Sequence, residues 1–270
     1  MASASKEIAS ELLPFIRVYK DGSVERLMGS PYVPPSPCDP NTGVSSKDII
    51  ISDNPKISAR FYLPQTLTDQ NVQNQKLPVL VYFHGGGFCF ESAFSSDHHR
   101  FLNRLVSKAQ VVAVSVERDE LCYQRTMAYI GGDSAGGNIV HNVAMKAGAG
   151  SSSVKLVGAF LSHTYFMSSK PLESEPKGEE FKNYVPYVVW GYFNPSTPGG
   201  IDSPMVNPAG PGAPSLAELG CSKLLVEVGL KEKLSTLFEV EGEVHAFHIL
   251  SEAETPNVKK MINKLASFLV

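Results

Sequence analysis

The sequence predicts an α/β fold, and two patterns support this expectation. Short runs of Val, Leu, Ile and aromatic residues barely alternate with polar ones, as is typical of strands buried on both faces. Helix-like stretches separate several of these runs, which is the order expected for a mostly parallel sheet flanked by helices. A chain of 270 residues with 43% hydrophobic and 19% charged residues is ordinary for one globular domain and argues against disorder.

The predicted elements follow one another within a single domain, 1–270, whose core we expect at 77–270. Residues 1–45 contain two strand-like pieces and a patch with five prolines, which cannot be helical and which we expect to form a cap. Turn residues between 47–52 and 58–63 predict an antiparallel hairpin. The later strand-like runs are 77–83, 111–116, 127–130, 155–161 and 223–228, and the helix-like stretches are 97–108, 135–147 and 257–269.

Charge and cysteine content exclude several classes of function. A formal net charge of −3 gives no electrostatic basis for binding nucleic acid or an anionic membrane. The four cysteines form no CxxC pair, which predicts reduced thiols in an intracellular protein and neither a disulfide framework nor a metal site. The charged N-terminus predicts no secretory signal, and no apolar run approaches the 18 or so residues that span a bilayer. We therefore expect a cytoplasmic protein.

The strongest local signal is a G-x-S-x-G sequence, residues 132–136, centred on Ser134. It follows the strand-like run MAYI and precedes a helix-like stretch, which is the context of a nucleophile elbow. In such a turn the serine hydroxyl is exposed above the sheet, and the N–H of Ala135 can meet an oxyanion. The pattern predicts a nucleophilic serine, with a simple glycine-rich turn as the structural alternative.

The second signal is His84 followed by three glycines, directly after the strand-like run LPVLVYF. Consecutive glycines are costly in conformational entropy, and a backbone that turns two N–H groups toward a developing negative charge supplies a reason for them. HGGG elements of this kind donate to the oxyanion in lipases and esterases. We expect His84 to fix the loop and not to act as a general base.

These motifs resemble those of the plant carboxylesterase family, in the hormone-sensitive-lipase-like branch of the α/β-hydrolases. The resemblance is carried by HGGGF at 84–88, GGDSAGGN at 131–138 and EVHAFHI at 243–249, and it extends almost from end to end. It implies an α/β-hydrolase fold and a cofactor-free Ser-acid-His esterase in which Ser134 is the nucleophile. It further implies that His245 is the base and that Gly85, Gly86 and Ala135 donate to the oxyanion.

The base and the acid have alternatives. His245 lies near the C-terminus, as the chain order Ser, acid, His requires, and His248 is the competing base. The family pattern predicts an Asp just after the strand-like run KLLVEV, but this chain has Glu232 within Lys-Glu-Lys-Leu. Glu is an accepted variant of the orienting acid, so Glu232 is the candidate, with a solvated surface charge as the alternative.

Two crossovers are shorter than the resemblance to this family predicts. Ten residues separate Val116 from Met127, and eight separate Val228 from Leu237, where a further helix is expected. We expect an uncovered apolar face near Leu225 and Phe238, and hence a fragile, internally shortened esterase. A single cooperative thermal transition above about 45 °C would contradict that fragility.

The expected function is hydrolysis of small, fairly apolar esters, with no cofactor and an oligomeric state that the residues do not specify. Three alternatives remain. A 2-hydroxyisoflavanone dehydratase-like enzyme would perform an elimination on the same fold. A binder resembling the gibberellin receptors would lack the base, so His245 counts against it. A shortened homologue without activity is the third.

Overall fold

An eight-stranded sheet forms the centre of the molecule, as seen in a computed structural model that describes residues 6–65, 76–117, 128–150, 156–172, 175–228, 237–240 and 242–270. The strand order is β11-β10-β9-β8-β6-β7-β5-β4. The strands from β7 to β11 along this order are parallel, and the β4–β5 hairpin adds two antiparallel strands at one edge. The strands are β4 (Ser45–Asp53), β5 (Lys56–Leu63), β6 (Val79–Phe83), β7 (Val112–Val116), β8 (Ala128–Asp133), β9 (Leu156–Ser162), β10 (Cys221–Val228) and β11 (Leu237–Glu239).

Helices cover both faces of this sheet. The helices are α1 (Ser96–Ala109), α2 (Ala135–Gly148), α3 (Glu179–Lys182), α4 (Val185–Phe193), α5 (Phe247–Leu250) and α6 (Pro256–Leu269). Helices α1 and α6 pack with one set of strand side chains, which includes Leu80 and Tyr82. Helix α2 packs with the alternate set, which includes Val81 and Phe83. This alternation along β6 explains why the core strands are apolar at nearly every position.

The N-terminal segment forms a separate small sheet near the glycine loop, residues 85–87. Strands β1 (Ile8–Leu12), β2 (Ile16–Tyr19) and β3 (Val24–Arg26) pair antiparallel. Leu12 and Ile16 share an apolar cluster with Phe88, Cys89 and Val189 of α4. The predicted cap segment therefore packs beside the HGGGF motif, together with α4.

Most predicted elements agree with the structure. The hairpin and each core strand and helix appear within a few residues of the expected bounds. The expected core, 77–270, begins too late, because β5 pairs with β7 and brings the hairpin into the main sheet. The free cysteines among the described residues are Cys38, Cys89 and Cys221. In the same residues, no helix has the length and apolar character needed to cross a membrane.

The expectation of an uncovered face at Leu225 was wrong. Leu225 is 2% exposed and lies in the core with α6, and Phe238 is partly buried against the same cluster. On the opposite side of β10, Leu224 is 36% exposed, and Val226 is partly buried against the apolar cluster of α2. Strands β10 and β11 also pair in parallel, with Val226 opposite Leu237, so the chain returns to the same edge despite the short connection. Both shortened crossovers, 118–127 and 229–236, lie outside the described residues.

Candidate active site

Ser134 lies on a strained turn between β8 and α2. Its backbone angles are φ +49° and ψ −119°, a conformation that side-chain-bearing residues rarely adopt. Glycine is required on the helical side of the turn, because a side chain at Gly136 would overlap the backbone of Phe83 and His84. The strand-turn-helix context predicted from the sequence is therefore present around Ser134.

The backbone of Ser134 is held by the segment that follows β9. Its N–H donates to the carbonyl of Ser162 at 2.9 Å, and its carbonyl accepts from the N–H of Tyr165 at 2.9 Å. Among the described residues, none forms a hydrogen bond with Ser134 Oγ. The hydroxyl is thus the one polar group of this buried residue that remains available to a reactant.

The glycine loop differs from the expectation at one position. The N–H of Gly85 donates to Asp133 Oδ1 at 2.8 Å, so it is not available to an oxyanion, and its predicted role was wrong. Gly86 and Gly87 have φ values of +100° and +54° that favour glycine. Within the described residues, the N–H groups of Gly86 and Gly87 have no hydrogen-bond acceptor. The first helical amide, that of Ala135, also lacks an intrahelical acceptor. The candidate oxyanion donors are therefore Gly86, Gly87 and Ala135.

Asp133, directly before Ser134, ties the glycine loop to the serine turn. Its Oδ1 accepts from Tyr82 Oη at 2.5 Å as well as from Gly85. Burial and the neighbouring Asp133 raise the pKa of Tyr82 well above its ordinary value, so the phenol stays protonated and donates. The pairing of Tyr82 with Asp133 was not predicted from the sequence. The available signal was a carboxylate at the end of an otherwise apolar strand, where an acid needs a buried partner.

His84 fixes the start of the same loop, as expected. Its Nδ1 donates to the carbonyl of Gly85 at 2.8 Å, and its Nε2 lies 3.9 Å from a carboxylate oxygen of Glu117. Glu117 also accepts from the Ser92 hydroxyl and the Ala93 N–H, both at 2.7 Å. The ring of His84 is thus enclosed within a structural network at the start of the loop.

His245 lies in the turn before α5, next to His163. The two rings are 5.3 Å apart between centroids and nearly perpendicular. His245 is exposed to solvent on one side, yet partial burial and the neighbouring His163 lower its pKa, while Asp133 acts in the opposite direction. No hydrogen bond joins His245 to Ser134 Oγ in the described residues.

The competing base, His248, is enclosed in the core. It is fully buried, its Nε2 lies 3.3 Å from Ser162 Oγ, and burial lowers its pKa to about 4. A ring without solvent access cannot exchange a proton with a substrate at Ser134. The geometry therefore favours His245 over His248. Glu232, the candidate acid, lies outside the described residues, and none of the described carboxylates contacts His245.

Helix α4, which ends at Phe193, contributes aromatic side chains to the packing and to the lining of a cavity. Trp190 is buried against Phe88, with ring centroids 6.1 Å apart, and its indole N–H donates to the carbonyl of Gly200. A cavity of about 250 Å³ lies between α2 and α4 and is lined by apolar side chains that include Phe88, Val143 and Trp190. These contacts place the aromatic side chains beside the glycine loop.

A group of potential metal ligands also lies near the site. His163, Glu227 and His248 are buried, and one ligand-type atom from each lies within 4.8 Å of the others. Both ring nitrogens of His163, both carboxylate oxygens of Glu227 and Nε2 of His248 already take part in hydrogen bonds with one another, with Ser162 or with the backbone of Ala246. Metal binding would have to break part of this network.

Comparison with known proteins agrees with the fold. A family model for the alpha/beta hydrolase fold matches residues 80–121. The chain is 42% identical over 328 positions to a 2-hydroxyisoflavanone dehydratase of Glycyrrhiza echinata, covering 99% of this chain and 98% of the relative. It is 32% identical over 317 positions to probable carboxylesterase 2 of Arabidopsis thaliana, covering 100% and 98%. The solved esterase of Pyrobaculum calidifontis shares the fold, with a TM-score of 0.60 at 22% identity over 82% of this chain and 83% of that one.

The alignment with the 2-hydroxyisoflavanone dehydratase also measures how much the chain is shortened. It contains 328 positions, whereas the chain has 270 residues, so at least 58 positions are gaps within this chain. This agrees with the prediction of an internally shortened member. The identity to these plant proteins extends over nearly their full lengths. The chain belongs to the plant carboxylesterase family of the α/β-hydrolases.

Proposed function

We propose that this protein hydrolyses small, fairly apolar carboxylic esters through an acyl-enzyme formed on Ser134. The observation that carries the proposal is the strained turn at Ser134, φ +49°, with its backbone bonded and its hydroxyl free. Such a turn presents a nucleophile at the start of a helix, where N–H groups lack intrahelical acceptors. The cavity between α2 and α4 has the size and apolar lining suited to the acyl or alcohol part of a small ester.

The proposed reaction has two half-reactions. His245 takes the proton of Ser134 Oγ as the oxygen attacks the ester carbonyl carbon, and the N–H groups of Gly86, Gly87 and Ala135 stabilise the oxyanion. The carbon–oxygen bond to the alcohol then breaks, and the alcohol leaves with the proton from His245. Water attacks the acyl-enzyme, gives a proton to His245, and releases the carboxylic acid while Ser134 is reprotonated. No metal or organic cofactor is needed for these steps.

The protonation state of His245 suits this role. Its lowered pKa keeps the imidazole neutral at pH 7, and a general base must be neutral to accept a proton. In the free protein, catalytic hydrogen bonds are often longer than in the complex with substrate, so Ser134 and His245 need not be bonded before an ester binds.

Glu232 remains the proposed orienting acid. An acid that holds the imidazole of His245 stabilises the imidazolium formed during acyl transfer, and its loss lowers kcat by as much as about 10⁴-fold. We expect Glu232→Ala to lower the kcat for p-nitrophenyl acetate by at least about 100-fold without raising KM. Glu254→Ala, a change of an exposed glutamate that pairs with Arg104 and Lys259, is the control. An unchanged kcat in Glu232→Ala would mean that Glu232 is a solvated surface charge and not the orienting acid.

A direct test of the proposed function compares Ser134→Ala with Ser267→Ala. Ser267 is an exposed serine on α6 that donates only to the Lys264 carbonyl, so its change controls for the loss of a hydroxyl elsewhere. We expect hydrolysis of p-nitrophenyl acetate and butyrate to disappear in Ser134→Ala and to persist in Ser267→Ala. Equal activity in the two variants would contradict the proposal.

Elimination of water from a 2-hydroxyisoflavanone is a second candidate activity. It is favoured by the 42% identity to a protein of that name, which exceeds the identity to the carboxylesterase relative. A base such as His245 and an oxyanion site serve an elimination as well as an acyl transfer. Incubation with a 2-hydroxyisoflavanone and detection of the isoflavone distinguishes the two activities. A cytoplasmic location remains a prediction from the sequence.

A further inference from the structure

A buried cluster of four side chains connects the serine turn to the turn that carries His245. We call Ser162, His163, Glu227 and His248 the His–Glu cluster, and each member is at most 5% exposed. Glu227 accepts from Ser162 Oγ at 2.5 Å and faces His163 Nε2 at 3.3 Å. No step of the proposed reaction uses this cluster. Burial of a glutamate within the apolar strand β10 costs free energy unless the carboxylate is hydrogen-bonded, so its presence there requires an explanation.

The hydrogen bonds fix where the protons of this cluster lie. The N–H of Ala246 donates to His163 Nδ1 at 3.0 Å, so Nδ1 must be unprotonated. The neutral ring then carries its proton on Nε2 and donates it to Glu227. The Ser162 hydroxyl donates its hydrogen bond to Glu227, so His248 Nε2 donates to Ser162 Oγ. The buried Nδ1 of His248 has no hydrogen-bond partner among the described residues.

This proton arrangement argues against a metal site. A metal on His163 Nε2 would move the ring proton to Nδ1, where it would face the N–H of Ala246 as a second donor. Metal-binding histidines usually donate their other N–H to a carboxylate or carbonyl, and His163 instead accepts there. The spacing of the three ligand-type atoms is therefore explained by hydrogen bonding among them.

The same short segment contacts both halves of the candidate active site. The carbonyl of Ser162 accepts from the N–H of Ser134, while the side chain of the next residue, His163, accepts from the N–H of Ala246. Ala246 directly follows His245 and has a left-handed backbone with φ +56°. The His163 ring also packs against the rings of His245 and Phe247. Residues 162–163 are thus hydrogen-bonded both to Ser134 and to the residue that follows His245.

We propose that His163, held by Glu227, is a positioning residue that fixes the backbone beside His245 relative to Ser134. The inference rests on the proposed ester hydrolysis for its effect on rate. Glu227 fixes the tautomer and orientation of the ring, and His163 supplies the acceptor for Ala246. A displacement of the base by about 1 Å lowers the rate by about 100-fold, so a lost acceptor at this place has a measurable cost.

The test uses two double variants that differ only in the acceptor. In His163→Asn/Glu227→Gln the asparagine offers an oxygen to Ala246 and tolerates the positive φ of +45° at this position. In His163→Leu/Glu227→Gln no acceptor remains. Removal of the carboxylate charge in both variants avoids a buried, unpaired anion. We expect kcat for p-nitrophenyl acetate to fall about 10- to 100-fold in the leucine variant with KM unchanged, and to stay within about threefold of Glu227→Gln in the asparagine variant.

Amide hydrogen exchange at Ala246 gives a readout that needs no activity. We expect protection in the wild type and the asparagine variant, and loss of protection in a leucine variant that still unfolds cooperatively. Equal kcat in the two double variants would overturn the proposal, as would retained protection in the leucine variant. Zn²⁺ binding at one per chain that is lost in Glu227→Gln would also overturn it, because the ring nitrogen would then be a metal ligand.

The outcomes separate this proposal from the proposed function. If the wild type hydrolyses no more ester than Ser134→Ala, the proposed function fails, whereas the exchange pattern at Ala246 still shows whether His163 holds that turn. If hydrolysis requires Ser134 but kcat is the same in the leucine and asparagine double variants, the proposed function stands and the positioning role of His163 fails.

Discussion

The serine side and the histidine side of the candidate active site are built very differently. On the serine side, Ser134 has both backbone groups bonded, and Asp133 joins its turn to the glycine loop. On the histidine side, His245 is exposed and contacts mainly the ring of His163. The nucleophile needs only a local turn and two neighbouring glycine segments. The base depends on the chain between β10 and α5, which contains one of the two connections that the sequence predicts to be shortened.

The largest expected effect comes from breaking the serine side. A methyl group at Gly136 would lie 2.6 Å from the carbonyl carbon of Phe83 and 2.7 Å from the carbonyl oxygen of His84. Neither backbone atom can move away without displacing β6, so Gly136→Ala should destabilise the protein by about 3 kcal/mol or more. Gly191→Ala, with open space around an exposed helical glycine, should instead add about 0.5–1 kcal/mol.

Urea unfolding of these two variants gives the comparison. A soluble Gly136→Ala with wild-type stability would contradict the close approach of α2 to the loop after β6. A loss of stability in Gly191→Ala would show that the helix α4 is not as open at this position as the structure indicates.

An effect of up to similar size is expected on strand β10, which supports the histidine side. Leu225 is buried in the core with α6, so Leu225→Ala should cost about 2–5 kcal/mol. Leu224 is partly exposed on the opposite side, and Leu224→Ala should cost about 1 kcal/mol or less. Thermal unfolding measures both changes, and equal losses would mean that the side chain of Leu224 is covered in solution.

The smallest expected effect is a shift in the pH dependence of hydrolysis. Burial and His163 lower the pKa of His245 below its ordinary value, so the base stays neutral to a lower pH than a histidine in water does. As the pH falls through this lowered pKa, His245 gains a proton and kcat/KM falls. The acid limb of kcat/KM should therefore lie below about pH 6.5. An acid limb above that value would contradict the assignment of His245.

Stability measured at the same pH values separates this effect from unfolding. The pKa of buried His248 is lowered to about 4, so the unfolded chain binds its proton more readily than the folded one. The contribution of His248 to stability is complete above its unfolded pKa and is lost as the pH falls from about 6.5 toward 4. The pH dependence of kcat/KM should therefore be measured at pH values at which the melting temperature is still high.

The sequence allowed the prediction of those features that depend on local pattern. The core strands, the three long helices and the turn at Ser134 follow from apolar runs and glycine spacing, which act over a few residues. The acceptor for the Gly85 N–H could not be predicted, because Asp133 reaches it from a strand 48 residues away. The covered face of β10 was assigned wrongly for a related reason, since it depends on where α6 packs after the chain has folded.

The short strand β1 and the acid at Glu227 were missed for a different reason. Strand β1 is almost entirely exposed and is defined by pairing with β2, so its residues carry no buried pattern. Glu227 interrupts the apolar run of β10, and only the contacts with Ser162 and His163 explain its burial. Glu227 thus depends on partners distant in the sequence, whereas β1 depends on pairing with the next strand of the chain.

Reaction with a fluorophosphonate, followed by mass spectrometry of the digested protein, tests the central claim most directly. A serine made nucleophilic by a neighbouring imidazole reacts with this reagent, whereas ordinary surface serines do not. The account predicts one adduct, located on Ser134, that forms more slowly in His245→Ala and is absent in Ser134→Ala. A folded wild-type protein that remains unlabelled, or that is labelled on another serine, would contradict it.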